Sequence, residues 1–137
     1  MPPYDDPNIS DEDLIVRRVN PEQHLVYDEN LGRQRVSSKL FAASSGPEGG
    51  MSVDIPALMV ADGVVAEEFV KTPPFLGAVS FTAGCIREAH LIVGYHPIPD
   101  NPYHGEVWRA PDGGRFTRAQ KKHLSENYEW FVKVSED

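Results

Sequence analysis

The sequence predicts an α+β fold, with a small, mostly antiparallel or mixed sheet, a C-terminal helix and one short internal helix. Its 137 residues suit a single hydrophobic core. Apolar, β-rich runs cluster in the second half of the chain, and the helical spacing of apolar residues is clearest near the C-terminus. Strands that cluster, with helices between or after them, favour this class over a regularly alternating α/β fold.

Residues 1–13 have the composition of an acidic, flexible arm that precedes one α+β domain at residues 14–137. The segment holds five acidic residues, no basic residue and three prolines, two of them at positions 2 and 3. Because such a composition buries little apolar surface, we expect a mobile or loosely docked arm. The alternative is a short turn capped by Ser10 through Asp13.

The first predicted strand is LIVRRV at residues 14–19, which ends at Asn20-Pro21. Side chains alternate along a strand, so one of Arg17 and Arg18 faces inward unless the strand lies at an edge. An inward arginine requires a carboxylate, a cluster of carbonyl groups or an anionic ligand. A buried structural ion pair is the more common solution, and a ligand contact is the alternative.

Residues 24–41 contain a predicted turn at DENLG, residues 28–32. Beyond it, alternating polar residues place several hydrogen-bond donors on one side of an extended segment: Arg33, Arg35, Ser37 and Ser38. Alternatively, Ser37 or Ser38 caps a short helical turn. With Arg17 and Arg18, four arginines fall within nineteen residues of an otherwise acidic chain, the strongest local charge asymmetry in the sequence.

The remaining elements follow from turn residues and apolar spacing. Residues 44–50 predict a flexible loop, and residues 51–55 predict a short strand that ends at Pro56. A helix of about two turns is expected from Gly63 to the prolines at 73 and 74. Residues 76–84, 90–96 and 105–109 predict strands, with residues 85–89 continuing or turning the first of these. Thr117 caps the last helix, whose apolar residues continue to Val132.

Several functional classes are disfavoured by composition and motifs. The formal net charge of −8 argues against broad nucleic-acid binding. No phosphate-binding loop, dinucleotide fingerprint, GxSxG elbow, HExxH pair or CxxC motif occurs.

The single cysteine, Cys85, precludes an intrachain disulfide and is expected to be a small buried residue in a reducing compartment. Without a long apolar run or a basic leader, the chain is expected to be soluble and cytoplasmic, without a membrane partner.

The candidate catalytic residues are His96, His104 and Glu106, in the stretch GYHPIPDNPYHGEVW. His104 and Glu106 share a face in an extended chain, so a patch of two metal ligands is geometrically possible. His90 and His96 would also lie on the same face of a strand, but in a straight strand they are roughly 20 Å apart. We therefore predict structural or surface histidines and neither a metal nor a cofactor. The prolines make this connection stiff.

The chain resembles a family of small bacterial proteins with no established activity. The resemblance covers residues 14–130 and rests on the succession RRV, RVSSKLF, MSVDI and DNPYH, followed by a basic helix with a late tryptophan. It implies the outline of the domain and the choice of candidate residues, and it implies no reaction. An early strand arginine and later serine-bearing strands are also similar to ADP-ribosyltransferase-like folds, but no catalytic glutamate stands in a matching motif.

Two functional hypotheses follow. In the first, a binding or accessory protein uses the arginines and serines named above, closed over by the loop from His96 to His104, to hold an anionic ligand or an acidic segment of a partner protein. In the second, the same pocket is an enzyme site for a nucleotide or another phosphate-containing substrate, with His104 or His96 as acid or base. Binding is favoured because no complete set of nucleophile, base and orienting group can be written.

Overall fold

The computed structural model describes residues 3–42, 50–111 and 113–134, and it confirms the α+β class. In chain order, the strands of the described residues are β1 (Leu14–Val19), β2 (Leu25–Asp28), β3 (Arg33–Val36), β4 (Met51–Asp54), β5 (Gly77–Thr82), β6 (Leu91–Tyr95), β7 (His104–Arg109) and β8 (Glu129–Val132). The α-helices are α1 (Pro21–His24), α2 (Pro56–Ala61), α3 (Ala66–Phe69), α4 (Ala83–Glu88) and α5 (Arg118–Asn127), and a 3-10 helix spans Ser38–Phe41.

A six-stranded antiparallel sheet organises the fold, in the order β6-β7-β4-β1-β5-β8, and β2 and β3 form a separate hairpin. Strand β1 pairs with β5 along its whole length, from Leu14 opposite Thr82 to Val19 opposite Gly77. Because β1 alternates between two buried faces, it contributes to two hydrophobic clusters. Ile15 belongs to the larger cluster with residues of α4, α5 and the 3-10 helix, whereas Val16 packs with residues of α2 and α3.

Several predicted elements are confirmed by the structure. These are β1 at Leu14–Val19, the hairpin turn between β2 and β3, the strands β4, β5, β6 and β7, and the start of the last helix at a Thr117 cap. Ser37 caps the 3-10 helix by accepting a hydrogen bond from the backbone of Lys39, which was the second alternative for this segment. The predicted loop at residues 44–50 lies, except for Gly50, outside the described residues.

Other predicted elements were wrong. Residues 83–88 form α4, because Thr82 caps a helical turn by accepting from the backbone of Cys85. Helix α5 ends at Asn127, and Phe131 and Val132 belong to β8, which pairs with β5. The helix expected from Gly63 is the single turn α3, and α2 was not predicted. None of the helices in the described part of the chain has the length and hydrophobicity needed to cross a membrane.

The acidic N-terminal segment lies along the domain. The backbone of Asp6 donates to Val93 of β6, and Ile9 is 6% exposed within the larger cluster. Arg87 of α4 contacts the carboxylates of Asp5 and Asp11 at 3.1 and 2.7 Å. It also donates to the backbone carbonyl oxygens of Asp6 and Ile9. One arginine therefore contacts four residues of the segment that composition alone describes as an arm.

Candidate functional site

A row of polar side chains crosses one face of the sheet on β7, β4 and β1. His104 is paired with Asp54, and Glu106 with Ser52, so these four residues share a face. Val16 pairs with Asp54, which by alternation puts Arg18 on that face and Arg17 on the opposite one. The sheet therefore gathers residues from segments that are far apart in the sequence.

The two adjacent arginines have different partners. Arg18 donates through Nε and Nη2 to Asp54 Oδ2 and Oδ1, at 2.8 and 3.2 Å. Arg17 donates to the backbone carbonyl oxygens of Leu40 and Ser52, at 3.0 and 2.9 Å. Burial lowers the pKa of Arg17 to about 10, and the negative charges of Glu106 and Asp54 act in the opposite direction. The buried arginine, Arg17, is thus satisfied by carbonyl groups rather than by the ion pair expected for it, and the ion pair is formed by the more exposed Arg18.

Asp54 also links the sheet to the loop that precedes β7. Asn101 donates through Nδ2 to Asp54 Oδ1 at 2.6 Å, and its own side-chain oxygen accepts from the backbone of Tyr103. The Arg18 guanidinium lies over the rings of Phe69 and Phe75, with 5.5 and 5.9 Å to the centroids. Contacts on several sides therefore fix the Arg18 guanidinium.

A cavity of about 440 Å³ opens over this array. Its polar residues include Arg18, Ser52, Asp54, Asn101 and His104. Its apolar wall includes Phe69, Phe75 and Ile98. A volume of this order, with an apolar wall and few polar groups, is typical of sites for small organic ligands.

His96, His104 and Glu106 form a compact cluster next to this cavity. One nitrogen from each histidine and one carboxylate oxygen lie within 4.8 Å of one another. Glu106 Oε1 is 4.0 Å from His96 Nδ1 and 3.9 Å from His104 Nε2, and the side chains of His104 and Glu106 are 10% and 5% exposed. His104 Nδ1 donates to the carbonyl oxygen of His96 at 2.8 Å, because that oxygen can only accept. The Nε2 lone pair of neutral His104 consequently lies on the Glu106 side.

The other predicted site residues lie elsewhere, so the single arginine and serine pocket expected from the sequence is wrong. Arg33 and Arg35 line a separate cavity of about 120 Å³ beside Tyr128 and Trp130. Arg35 pairs with Asp28 across the hairpin. The Ser37 hydroxyl caps the 3-10 helix, and Ser38 borders a depression next to the basic face of α5. Strands β2 and β3 form their own small sheet rather than extending the large one, and the sequence pattern did not predict this separation.

Cys85 is not arranged as a nucleophile. Burial raises the pKa of its thiol, and the charge of Glu88 adds to this effect. The histidine beside it is His123, whose Nε2 lies 3.5 Å from the Cys85 sulfur and donates to the Cys85 carbonyl oxygen at 2.9 Å. That nitrogen therefore carries a proton and cannot activate the thiol.

The site contains residues that were not predicted from the sequence, chiefly Asp54, Asn101 and Phe69. Asn101 could have been predicted from the sequence. An Asp-Asn pair between prolines marks a turn, and this turn brings the Asn101 side chain back to the sheet. Comparison with family models, curated proteins and solved structures finds no match to this chain.

Proposed function

We propose that the protein binds a small organic ligand in the 440 Å³ cavity, with an anionic group of the ligand near Arg18 and an apolar body against Phe69 and Phe75. The observation that carries this proposal is the Arg18 guanidinium, which lines the cavity and is only partly used by Asp54. Its Nε and Nη2 are held by Asp54, while Nη1 makes no hydrogen bond to any described residue. A fixed arginine with an open amino group is a donor that a carboxylate or phosphate can use without reorganisation.

The walls narrow the class of ligand. Phe69, Phe75 and Ile98 provide apolar contact area on the sides of the cavity, which inorganic phosphate alone would leave unused. The charges of Arg18 and Asp54 offset each other, so we expect a head group with one or two negative charges rather than a polyphosphate. The size of the cavity favours a small molecule over a segment of a partner protein.

A second candidate function is hydrolysis of such a ligand. It is favoured by one observation, the hydrogen bond from His104 Nδ1 to the His96 carbonyl oxygen. This bond fixes the ring and leaves the Nε2 lone pair, on the Glu106 side next to the cavity, to accept a proton from a water molecule. Release of 4-nitrophenol from 4-nitrophenyl phosphate or 4-nitrophenyl acetate, lost in His104→Gln, would support this candidate over simple binding.

Calorimetric titration with small aromatic anions tests the binding proposal. Phenyl phosphate, benzoate and phenylacetate are the probes. Inorganic phosphate is the control that has an anionic group without a ring, and benzyl alcohol is the control that has a ring without a charge. We expect at least one aromatic anion to bind more tightly than both control compounds. Arg18→Gln should weaken binding of that anion roughly tenfold to a hundredfold, because a charged hydrogen bond is lost. Phe75→Ala should weaken binding of the aromatic anion and leave binding of inorganic phosphate unchanged.

Arg33→Gln is the matched control, since it removes an arginine from the other cavity. Equal weakening by Arg33→Gln and Arg18→Gln, or no binding of any aromatic anion at millimolar concentration, would overturn the proposal. Thermal unfolding of each variant distinguishes a lost contact from a lost fold.

A further inference from the structure

We propose that His96, His104 and Glu106 form a binding site for a divalent transition-metal ion such as Zn²⁺ or Co²⁺. The sheet brings the three residues together. The backbone of His96 donates to the His104 carbonyl oxygen at 2.9 Å, just beyond the pairing of β6 with β7, and Glu106 follows His104 by two residues on the same face. Two imidazoles and one carboxylate are the donor set of many zinc and iron sites.

The spacing of the donor atoms suits a metal better than direct hydrogen bonds. Glu106 Oε1 stands 4.0 Å from His96 Nδ1 and 3.9 Å from His104 Nε2, beyond the roughly 3.2 Å limit of such a bond. Ligand atoms in a tetrahedral site with bonds of about 2.0 Å lie roughly 3.3 Å apart. Closure of the two glutamate–histidine gaps by about 0.6 Å, and of the histidine–histidine separation, which is within 4.8 Å, by up to about 1.5 Å, would complete the site through side-chain rotation.

The two histidines are prepared for a metal in different ways. His104 Nδ1 donates to the His96 carbonyl oxygen at 2.8 Å, the arrangement by which a protein fixes the tautomer of a metal-binding imidazole. His96 Nδ1 is shielded from solvent and makes no hydrogen bond to the described residues. A buried polar atom without a partner is destabilising, and a metal ion would satisfy it.

Charge alone would not hold the ion. Arg17 and Arg18 carry two positive charges close to the two negative charges of Asp54 and Glu106, so the neighbourhood is nearly neutral before the metal binds. Affinity would therefore come from the ligand bonds of neutral imidazoles and the carboxylate rather than from a negative field. Three protein ligands leave at least one coordination position open, and His104 borders the cavity.

The nearest competing pair in the described residues is Cys85 with His123. It offers two donors instead of three, the raised pKa of the thiol disfavours the thiolate, and His123 Nε2 already donates to a carbonyl oxygen. Variants of this pair are thus suitable controls for metal binding outside the proposed cluster.

Titration of the metal-free full-length chain, without an affinity tag or a cavity ligand, tests the proposal. We expect one Zn²⁺ per chain by calorimetry, and one Co²⁺ whose visible absorption reports nitrogen and oxygen ligands. Glu106→Gln and His96→Gln should each weaken Zn²⁺ binding more than a hundredfold, as loss of a direct ligand exceeds the tenfold to hundredfold effect of losing a supporting group. His90→Asn, Cys85→Ser and His123→Gln should bind like the wild type.

A second measurement keeps the test independent of the stability of the variants. When Zn²⁺ is added to the ¹⁵N-labelled wild-type chain, the ring resonances of His96 and His104 should shift, and those of His90 and His123 should not. Absence of stoichiometric binding, larger shifts at His123 than at His104, or equal weakening by Cys85→Ser would overturn the proposal. Each result is obtained without aromatic anions, so failure here leaves the cavity-binding proposal standing.

Discussion

Arg18 and Asp54 are joined by two hydrogen bonds across β1 and β4, at 2.8 and 3.2 Å, with side chains that are 21% and 4% exposed. The planar guanidinium and carboxylate match in a bidentate pair, which a lysine could not reproduce. Asn101 adds a third hydrogen bond to the same carboxylate. This array joins the centre of the sheet to the loop between His96 and His104, so the shape of the cavity and the position of His104 depend on it.

Asp54→Asn should lower the free energy of unfolding by about 2 to 4 kcal/mol, because it keeps the shape of the side chain while the Arg18 charge loses its partner. Urea denaturation measures the change. Arg18→Gln combined with Asp54→Asn should cost less than the sum of the single variants, since no uncompensated charge remains in the double variant. Additive losses, or a single-variant loss below about 0.5 kcal/mol, would show that the pair is not coupled.

Arg87→Gln should release the N-terminal segment without unfolding the domain. The variant loses two ion pairs and two donations to the carbonyl oxygens of Asp6 and Ile9. Because Ile9 and the backbone bond of Asp6 remain, we expect opening to become roughly tenfold more frequent rather than complete. Hydrogen exchange at the Asp6 amide measures the opening. Arg109→Gln, which removes an exposed arginine from β7, is the control and should leave that amide unchanged.

Acid should destabilise the protein through His24. Burial lowers the pKa of His24 to about 4 from the ordinary 6.5, and the nearby Arg17 charge adds to this effect. His24 Nδ1 accepts a hydrogen bond from the Asn20 backbone at 2.9 Å, which a protonated nitrogen cannot do. The unfolded chain therefore binds the proton more readily, so this contribution to stability is complete above pH 6.5 and is lost as the pH falls toward 4.

His24→Asn removes the titrating group and offers an amide oxygen near the position of Nδ1. Between about pH 7.5 and pH 4.5, the wild type should lose roughly 2 kcal/mol more unfolding free energy than this variant. Urea denaturation across the range measures both. Parallel stability curves for the two proteins would rule out His24 as the source of acid sensitivity.

The sequence predicted elements that depend on local chemistry. The strand LIVRRV, the hairpin turn and the Thr117 cap each follow from residues within a few positions of one another. The close approach of His96 and His104 was also within reach, since a turn at Asp100-Asn101 between two strands brings them opposite each other. The straight-strand distance that separates His90 from His96 does not apply to His96 and His104, because the chain reverses between them.

The rest of the site depends on contacts between distant segments, which one sequence does not reveal. Asp54 meets His104 only because β4 pairs with β7, and nothing local to either strand selects that neighbour. The acidic arm was expected to be mobile or loosely docked because its composition is polar, and the partners that Arg87 supplies from α4 were not predicted. The four clustered arginines were separated for the same reason, as proximity in sequence does not decide which sheet a strand joins.

Gln120 links α4 to α5, and its replacement should test how the helices over the sheet are held together. Its side-chain oxygen accepts from the Thr117 backbone at 2.9 Å, while its Nε2 donates to the carbonyl oxygens of Ala89 and His90 at 3.0 and 3.3 Å. Gln120→Glu keeps the acceptor but loses the donor and faces those carbonyl oxygens with a buried charge. We expect a loss of about 2 to 3 kcal/mol in unfolding free energy by urea denaturation.

Ala119→Glu is the matched control for this prediction, since it adds the same charge to the same first turn of α5 at an exposed position. A negative charge at the start of a helix is favourable, so Ala119→Glu should be neutral or slightly stabilising. Raising the pH from about 5 to 8 should deepen the loss in Gln120→Glu, because a protonated glutamic acid can still donate to the Ala89 carbonyl oxygen. Equal stability of Gln120→Glu and Ala119→Glu would mean that the two donated hydrogen bonds contribute nothing to holding α4 against α5.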